Sequence, residues 1–552
     1  MNKKVCSFPI LFALLALLIG TCAVVFPASA QAAPTSTGSI TVSGTVARSY
    51  DAFQIFSANV IDDSGDAKIA TDLAWASGAA RDAVLPVLHS AGMPNSQTTA
   101  QEAAEWLNTD SHLTSALSAQ LARSLQSSGA EPVALNAGTA AELPCGYWLI
   151  VADDDTIAQN EAGTAPIMAL VGGSAVAVKP KAATPKVAKH VLEDSTDAWQ
   201  KAADATVADD LYWRLSATVP AGLSAYDTYA VQFVDTMSAG LDPSKVAASM
   251  RVYVAAGVDG GFGAVQTDKD GRAGTEPAKG WTDITAQCAT KVAADSKTFT
   301  VRTGDLIAAL GGADAFTAGA RVVAVYNAPL SSACNHGIAK GNPNEVYLRY
   351  PRSPFADQSG DAGFTRTPSD DACAYTWDLA LTKRGSDGDK PLAGAVLSIA
   401  DDRGRTLAAD GTWDAEGKAT VTTGEDGRVT VSGVDSGKLE VRELKAPKGY
   451  TAFEGTRSVT VKAEGLDVDQ VAAAKPKLTI TAESPLRADS ADGSTGSLEA
   501  SLINTPTNVP PRGFMPSTGD MAMFAAAAVA VAGAALIVVA LLVKRGGGSH
   551  KE

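Results

Sequence analysis

Leu379-Ala-Leu-Thr-Lys383 alternates apolar and other residues, so that Leu379, Leu381 and Lys383 share one face of an extended chain. Leu439, Val441 and Glu443 repeat the pattern, as do Leu498, Ala500, Leu502 and Asn504. The turns Gly424-Glu-Asp-Gly427 and Asp435-Ser-Gly437 separate such runs, which is the pattern of a β-sandwich. Each apolar stripe ends on Lys, Glu or Asn in phase with the core. A charge so placed is costly unless it is paired or neutralised.

The arrangement recurs upstream. Val187, Lys189 and Val191 alternate, with Lys186 and His190 on the opposite face. Tyr229, Val231, Phe233 and Asp235 form a second stripe. Three asparagines stand on or beside further stripes. Asn344 is in phase with Val346, Leu348 and Tyr350; Asn327 follows Val323 and Val325; Asn342 lies further into a turn.

The fold expected is mainly β, in tandem β-sandwich domains, with a first domain of α+β character. That first domain, 34–181, opens with a strand in Gly38–Val46. It turns helical where Leu113, Leu117, Leu121 and Leu125 recur at i, i+4, a stripe expected to pack in a core. It returns to strand at Gly146–Val151 and ends at Ser174–Lys181. Pro180–Pro185 is a connector to a second domain, 182–372, where Asp259-Gly260-Gly261 and Asp270-Gly271 mark an exposed loop insertion. A third domain spans 373–507. Thr505–Phe514 carries Pro506, Pro510, Pro511 and Gly513, a linker composition.

The ends and the composition bound the location. Lys3-Lys4 precede an apolar run from Phe8 to Phe26, followed by the small-residue cleavage signals Ala28-Ser29-Ala30 and Gln31-Ala32-Ala33. Residues 1–33 are therefore expected to be a secretory signal peptide. The net charge of −15 lacks the basic footprint of a nucleic-acid binder. Cys145, Cys288, Cys334 and Cys373 remain after export, where disulfides are permitted and three pairings are open. Cys334 and Cys373 flank one strand region and are the favoured pair. No C-x-x-C or Cys/His cluster points to a metal, and no cofactor is implied.

Met515-Pro-Ser-Thr-Gly519 precedes an apolar stretch, Met521–Val543, and then Lys544-Arg545. The stretch is long enough to span a bilayer as a helix, with its basic end held in the cytoplasm. The pentapeptide resembles the L-P-x-T-G sorting signal of Gram-positive surface proteins, with Met515 in place of Leu. The resemblance implies cleavage by a sortase between Thr518 and Gly519, within a terminal region 508–552.

Further segments resemble the sortase-assembled backbone pilins, or fimbrial major subunits, of Gram-positive bacteria. Val176-Ala-Val-Lys-Pro-Lys181 is similar to their V-x-V-Y-P-K pilin motif, with Lys179 at the Tyr position. Gly341-Asn-Pro-Asn-Glu-Val-Tyr-Leu-Arg-Tyr350, Pro391-Leu-Ala-Gly-Ala395 and Val441-Arg-Glu-Leu-Lys-Ala-Pro-Lys-Gly-Tyr450 resemble further family segments. The resemblance implies immunoglobulin-like and collagen-adhesin B-type domains, and a covalent polymer of identical subunits. In that polymer a pilin-type sortase joins Thr518 of one subunit to Lys181 of the next. Ancillary pilins and cell-wall peptidoglycan are the further partners implied, with the host receptor unspecified.

The family also carries internal Lys–Asn isopeptide bonds assisted by a buried carboxyl. That chemistry needs a neutral lysine and a protonated acid, both favoured by burial. It assigns Lys383, Glu443 and Asn504 in the third domain. In the second it assigns Lys189 and Asp235, with Asn344, Asn327 or Asn342 as the amide. The alternative reading is a wall-anchored monomeric adhesin, or an ancillary pilin binding host matrix or glycans. An enzyme is not expected: H-E-x-x-H and G-x-S-x-G are absent, and there are five histidines.

Overall fold

The computed structural model describes residues 36–507, except 45–46, 63–67, 110, 258–279, 296 and 317. The expected signal peptide, the loop insertion around 259–271, Met515–Gly519 and the apolar stretch 521–543 lie outside the described residues. Among the described residues, no helix is long and apolar enough to cross a membrane.

The chain is mainly β, in successive sandwiches. In the first unit the long strand Ser49–Asp62 pairs with Lys68–Trp75, Gly146–Ala152 and Val133–Asn136. A three-stranded sheet centred on Thr37–Val42 packs against it. Helices Gly78–Ser90, Ala100–Asn108 and Ser115–Ser127 cover its other face. The leucine stripe is shorter than expected. The Thr114 hydroxyl accepts from the Leu117 backbone N–H at 3.1 Å and starts the last of these helices at Ser115. Leu117, Leu121 and Leu125 are buried, whereas Leu113 lies ahead of the cap and is exposed.

The second unit is a sandwich of two sheets enclosing one apolar core. One sheet runs Ala198–Gln200, Val187–Glu193, Tyr212–Val219, Ala320–Asn327, Arg251–Ala256, Thr282–Asp283, antiparallel throughout. The other places Gln232–Met237 between Thr298–Arg302 and Asn342–Pro351. Asp370–Tyr375 pairs with the far side of Asn342–Pro351, so the boundary expected at 373 falls inside a strand of this sandwich. The next strand, Trp377–Gly385, opens the last unit.

There Trp377–Gly385 lies between Arg428–Val434 and Ser497–Pro506, and is parallel to the latter. The facing sheet is built on Val396–Ala400, Gly437–Lys445, Thr456–Glu464 and Lys477–Ala482. Leu379, Leu381, Val441, Leu498, Ala500 and Leu502 fill the space between the sheets.

A polar joint connects these two sandwiches. Asp204 accepts hydrogen bonds from Trp377 Nε1 at 2.6 Å and from the Ser436 backbone N–H at 2.9 Å. Asp209 takes a two-pronged pair from Arg405 and a third contact from Arg403.

Candidate cross-linking sites

In the last sandwich, parallel pairing sets Lys383 opposite Leu502 and Gly385 opposite Asn504. Side chains of Lys383 and Asn504 therefore enter the core from neighbouring strands of one sheet. Glu443 enters from the facing sheet, on Gly437–Lys445. Lys383 Nζ donates to Asn504 Oδ1 in a short contact and stands 3.4 Å from Glu443 Oε1. Asn504 Nδ2 donates to the same Oε1 at 2.8 Å, and the other carboxylate oxygen accepts from the Phe453 backbone N–H at 3.1 Å. Lys383 has no exposed surface, Asn504 2% and Glu443 6%. Burial pushes the Lys383 amine down to about 8, with Glu443 opposing. A partly neutral amine thus lies against the carboxamide it would attack, while the acid holds the nitrogen that would leave.

In the middle sandwich the lysine faces its partners across the core. Lys189, on Val187–Glu193, donates to Asp235 Oδ2 in a short contact. Asp235 and Asn344 lie on adjacent strands of the opposite sheet, whose register pairs Met237 with Asn344 and Asp235 with Val346. Lys189, Asp235 and Asn344 are each fully buried. Desolvation pushes the Lys189 amine down to about 8 against the pull of Asp235, and raises the Asp235 carboxyl against that of Lys189. Asp235 Oδ1 and Asn344 Oδ1 are buried without a hydrogen-bond partner, a costly state that a proton on the carboxyl would ease by supplying a donor.

The three candidate asparagines separate cleanly. Asn327 is engaged elsewhere, accepting from the Leu211 backbone N–H at 3.1 Å and donating to Asp210 at 2.6 Å. Asn342 spends its amide on the backbone of Asn335 and Ala374. Asn344 shares a network with Lys189 through Tyr326, whose hydroxyl lies 2.9 Å from Lys189 Nζ and 2.8 Å from Asn344 Nδ2. Periodicity alone does not single out Tyr326. Its signal was the inward stripe Val322, Ala324, Tyr326, which faces the core that holds Lys189.

Lys181 is exposed, beyond the short strand Val176–Val178. It borders an open cleft of about 720 Å³ between the first unit and the middle sandwich, walled by Leu113, Pro166, Met168, Leu223 and Tyr226. Thr518 and Gly519 lie outside the described residues. The favoured disulfide is not present: Cys145, Cys288, Cys334 and Cys373 are all free thiols. Cys373 is buried in a strand with its Sγ near the Ala374 carbonyl. Cys334, in the loop after Ala320–Asn327, turns its sulfur to His336 Nε2 at 3.6 Å.

Residues 378–475 match the SpaA prealbumin-like fold domain. The chain is 30% identical over 129 residues to the trypsin-resistant surface T6 protein of Streptococcus pyogenes serotype M6. That alignment spans 22% of each protein, about a fifth of the relative's length. Among solved structures, the T6 backbone pilin of the same organism aligns with 86% of this chain and 99% of its own, at 16% identity and a TM-score of 0.46. The full-length major pilin SpaD of Corynebacterium diphtheriae aligns with 86% of this chain and 100% of its own, at 14% identity and a TM-score of 0.41.

Proposed function

We propose that this chain is the shaft subunit of a covalently polymerised surface fibre, a backbone pilin whose two sandwiches are each closed by an internal Lys–Asn amide. The observation that carries the reading is a lysine with no exposed surface in each sandwich, in contact with a carboxyl and linked to a carboxamide, directly at Lys383 and through the Tyr326 hydroxyl at Lys189. A salt bridge alone does not need the carboxamide. The SpaA-type domain at 378–475 and the identity to the T6 protein support the same reading.

The reaction is attack of the neutral amine on the amide carbon, with loss of ammonia. The bonds are Lys383–Asn504 and Lys189–Asn344, assisted by Glu443 and Asp235. Each is a single self-modification, so the protein is structural rather than an enzyme. Between subunits, a sortase cleaves at Thr518–Gly519 and transfers the Thr518 carboxyl to the exposed Lys181 amine of the next subunit. The basal subunit is joined to peptidoglycan, which places the fibre at the cell surface, where it serves adhesion and colonisation.

Two measurements test this. The intact mass of the chain should fall by about 17 Da for each internal bond, one ammonia per amide formed. An unshifted mass would refute the bonds. Lys181→Ala should abolish the boiling-resistant high-molecular-weight ladder on gels while monomer is still exported. A persisting ladder would move the acceptor elsewhere.

A further inference from the structure

The two sites solve one chemical problem differently. When the amine attacks, the amide nitrogen must gain a proton to leave as ammonia. In the last sandwich Asn504 Nδ2 touches the carboxylate of Glu443 directly, at 2.8 Å. In the middle sandwich the acid is an aspartate, one methylene shorter. Asn344 Nδ2 instead donates to Tyr326, whose hydroxyl donates in turn to Asp235 Oδ2 at 3.1 Å.

We propose that Tyr326 is a catalytic residue of the middle-sandwich reaction, its hydroxyl relaying a proton from Asp235 to the departing nitrogen of Asn344. The inference rests on the reading of Lys189, Asp235 and Asn344 as a bond-forming set.

The step balances. As Lys189 Nζ bonds to Asn344 Cγ, the acid proton of Asp235 passes to Asn344 Oδ1, and the new ammonium gives its proton to Asp235 Oδ2, which it already contacts. The nitrogen of the tetrahedral intermediate is now a basic amine rather than an amide, so the hydrogen bond between it and Tyr326 reverses. Tyr326 donates its hydroxyl hydrogen to Nδ2 and takes one from Asp235. The Cγ–Nδ2 bond breaks, ammonia leaves, the Oδ1 proton returns to Asp235 as the carbonyl re-forms, and both tyrosine and acid are back at their starting protonation.

The surroundings suit this role. Tyr326 is fully buried, its ring edge-on to Phe299 at 4.8 Å. Burial holds its hydroxyl well above the usual tyrosine range, so it stays a neutral donor. Its strand lies in the sheet that carries Lys189, separated from it by Tyr212–Val219.

The test uses the full chain, following cross-linked 189–344 and 383–504 peptides by mass at intervals after synthesis. Tyr326→Phe should slow the first bond about a hundredfold, the ordinary contribution of a positioned proton donor. The second bond should keep its wild-type rate. Adding Asp235→Glu, which lengthens the acid, should restore part of the loss. Equal rates for the 189–344 bond in Tyr326→Phe and wild type would overturn the relay. Absence of that peptide from the wild type would instead overturn the bond itself. Should Tyr326→Phe fail to fold, a fluorinated tyrosine placed at 326 keeps the shape and acidifies the hydroxyl. A changed rate supports the relay, and an unchanged one overturns it.

Discussion

A lysine amine held without exposed surface keeps its charge at a cost, loses it, or is consumed, and Lys383 allows the last fate to be told from the others. In Asn504→Ala the amine survives. Its folded pKa, pushed down to about 8, lies below the ordinary 10.5 of the unfolded chain. Below pH 8 both states hold the proton, and the folded chain bears the cost of a buried charge. Between about 8 and 10.5 the unfolded chain binds the proton and the folded chain does not, so stability rises with pH. The gain is up to about 3 kcal/mol. Denaturant unfolding of Asn504→Ala from pH 7 to 10.5 should show this rise relative to the native chain, whose amine the proposed bond would turn into an amide. Parallel pH profiles would contradict the assignment.

At the scale of strands, legibility followed burial on one face or two. Trp377–Gly385, Gly437–Lys445 and Ser497–Pro506 mix core and solvent-facing positions, so period-2 alternation displayed Lys383, Glu443 and Asn504 plainly. Ala320–Asn327 is buried almost throughout. Val322, Ala324 and Tyr326 face the main core, while Val323 and Val325 meet a second cluster with Tyr212, Tyr253 and Trp281. A strand apolar on both faces gives no phase, which is why Asn327 competed with Asn344 and Tyr326 was passed over. Cross-strand geometry also lay outside the pattern: nothing in the alternation says that Lys189 meets its partners across the core whereas Lys383 meets Asn504 along one sheet. The leucine stripe misled at one end because a threonine cap, not periodicity, decides where a helix begins.

In the whole molecule the joint between the last two sandwiches concentrates acids. Glu193, Asp194, Asp204 and Asp435 meet there, with Arg403 and Arg405 to one side and Trp377 and Ser436 donating. Desolvation, then the charge of Asp204, lifts Glu193 to about 7. A carboxyl raised on folding contributes stability that is full below its ordinary 4.5 and is lost as pH climbs through 7. The joint should therefore be stiffer at pH 5 than at pH 8. Small-angle scattering should find a narrower spread of lengths at the lower pH; equal spreads would show that these acids do not govern the joint.

The parallel pairing of Trp377–Gly385 with Ser497–Pro506 has a mechanical consequence. With Lys383 bonded to Asn504, a pull on the C-terminal end enters at Asn504 and crosses into Lys383. It leaves along the few residues back to Trp377. The 120 residues between Lys383 and Asn504, 384–503, are bypassed. The facing sheet, the turns and nearly all of this core then bear no load. Chain that is never stretched cannot be drawn out, so this unit has almost no hidden length to release and would behave as a short, inextensible link.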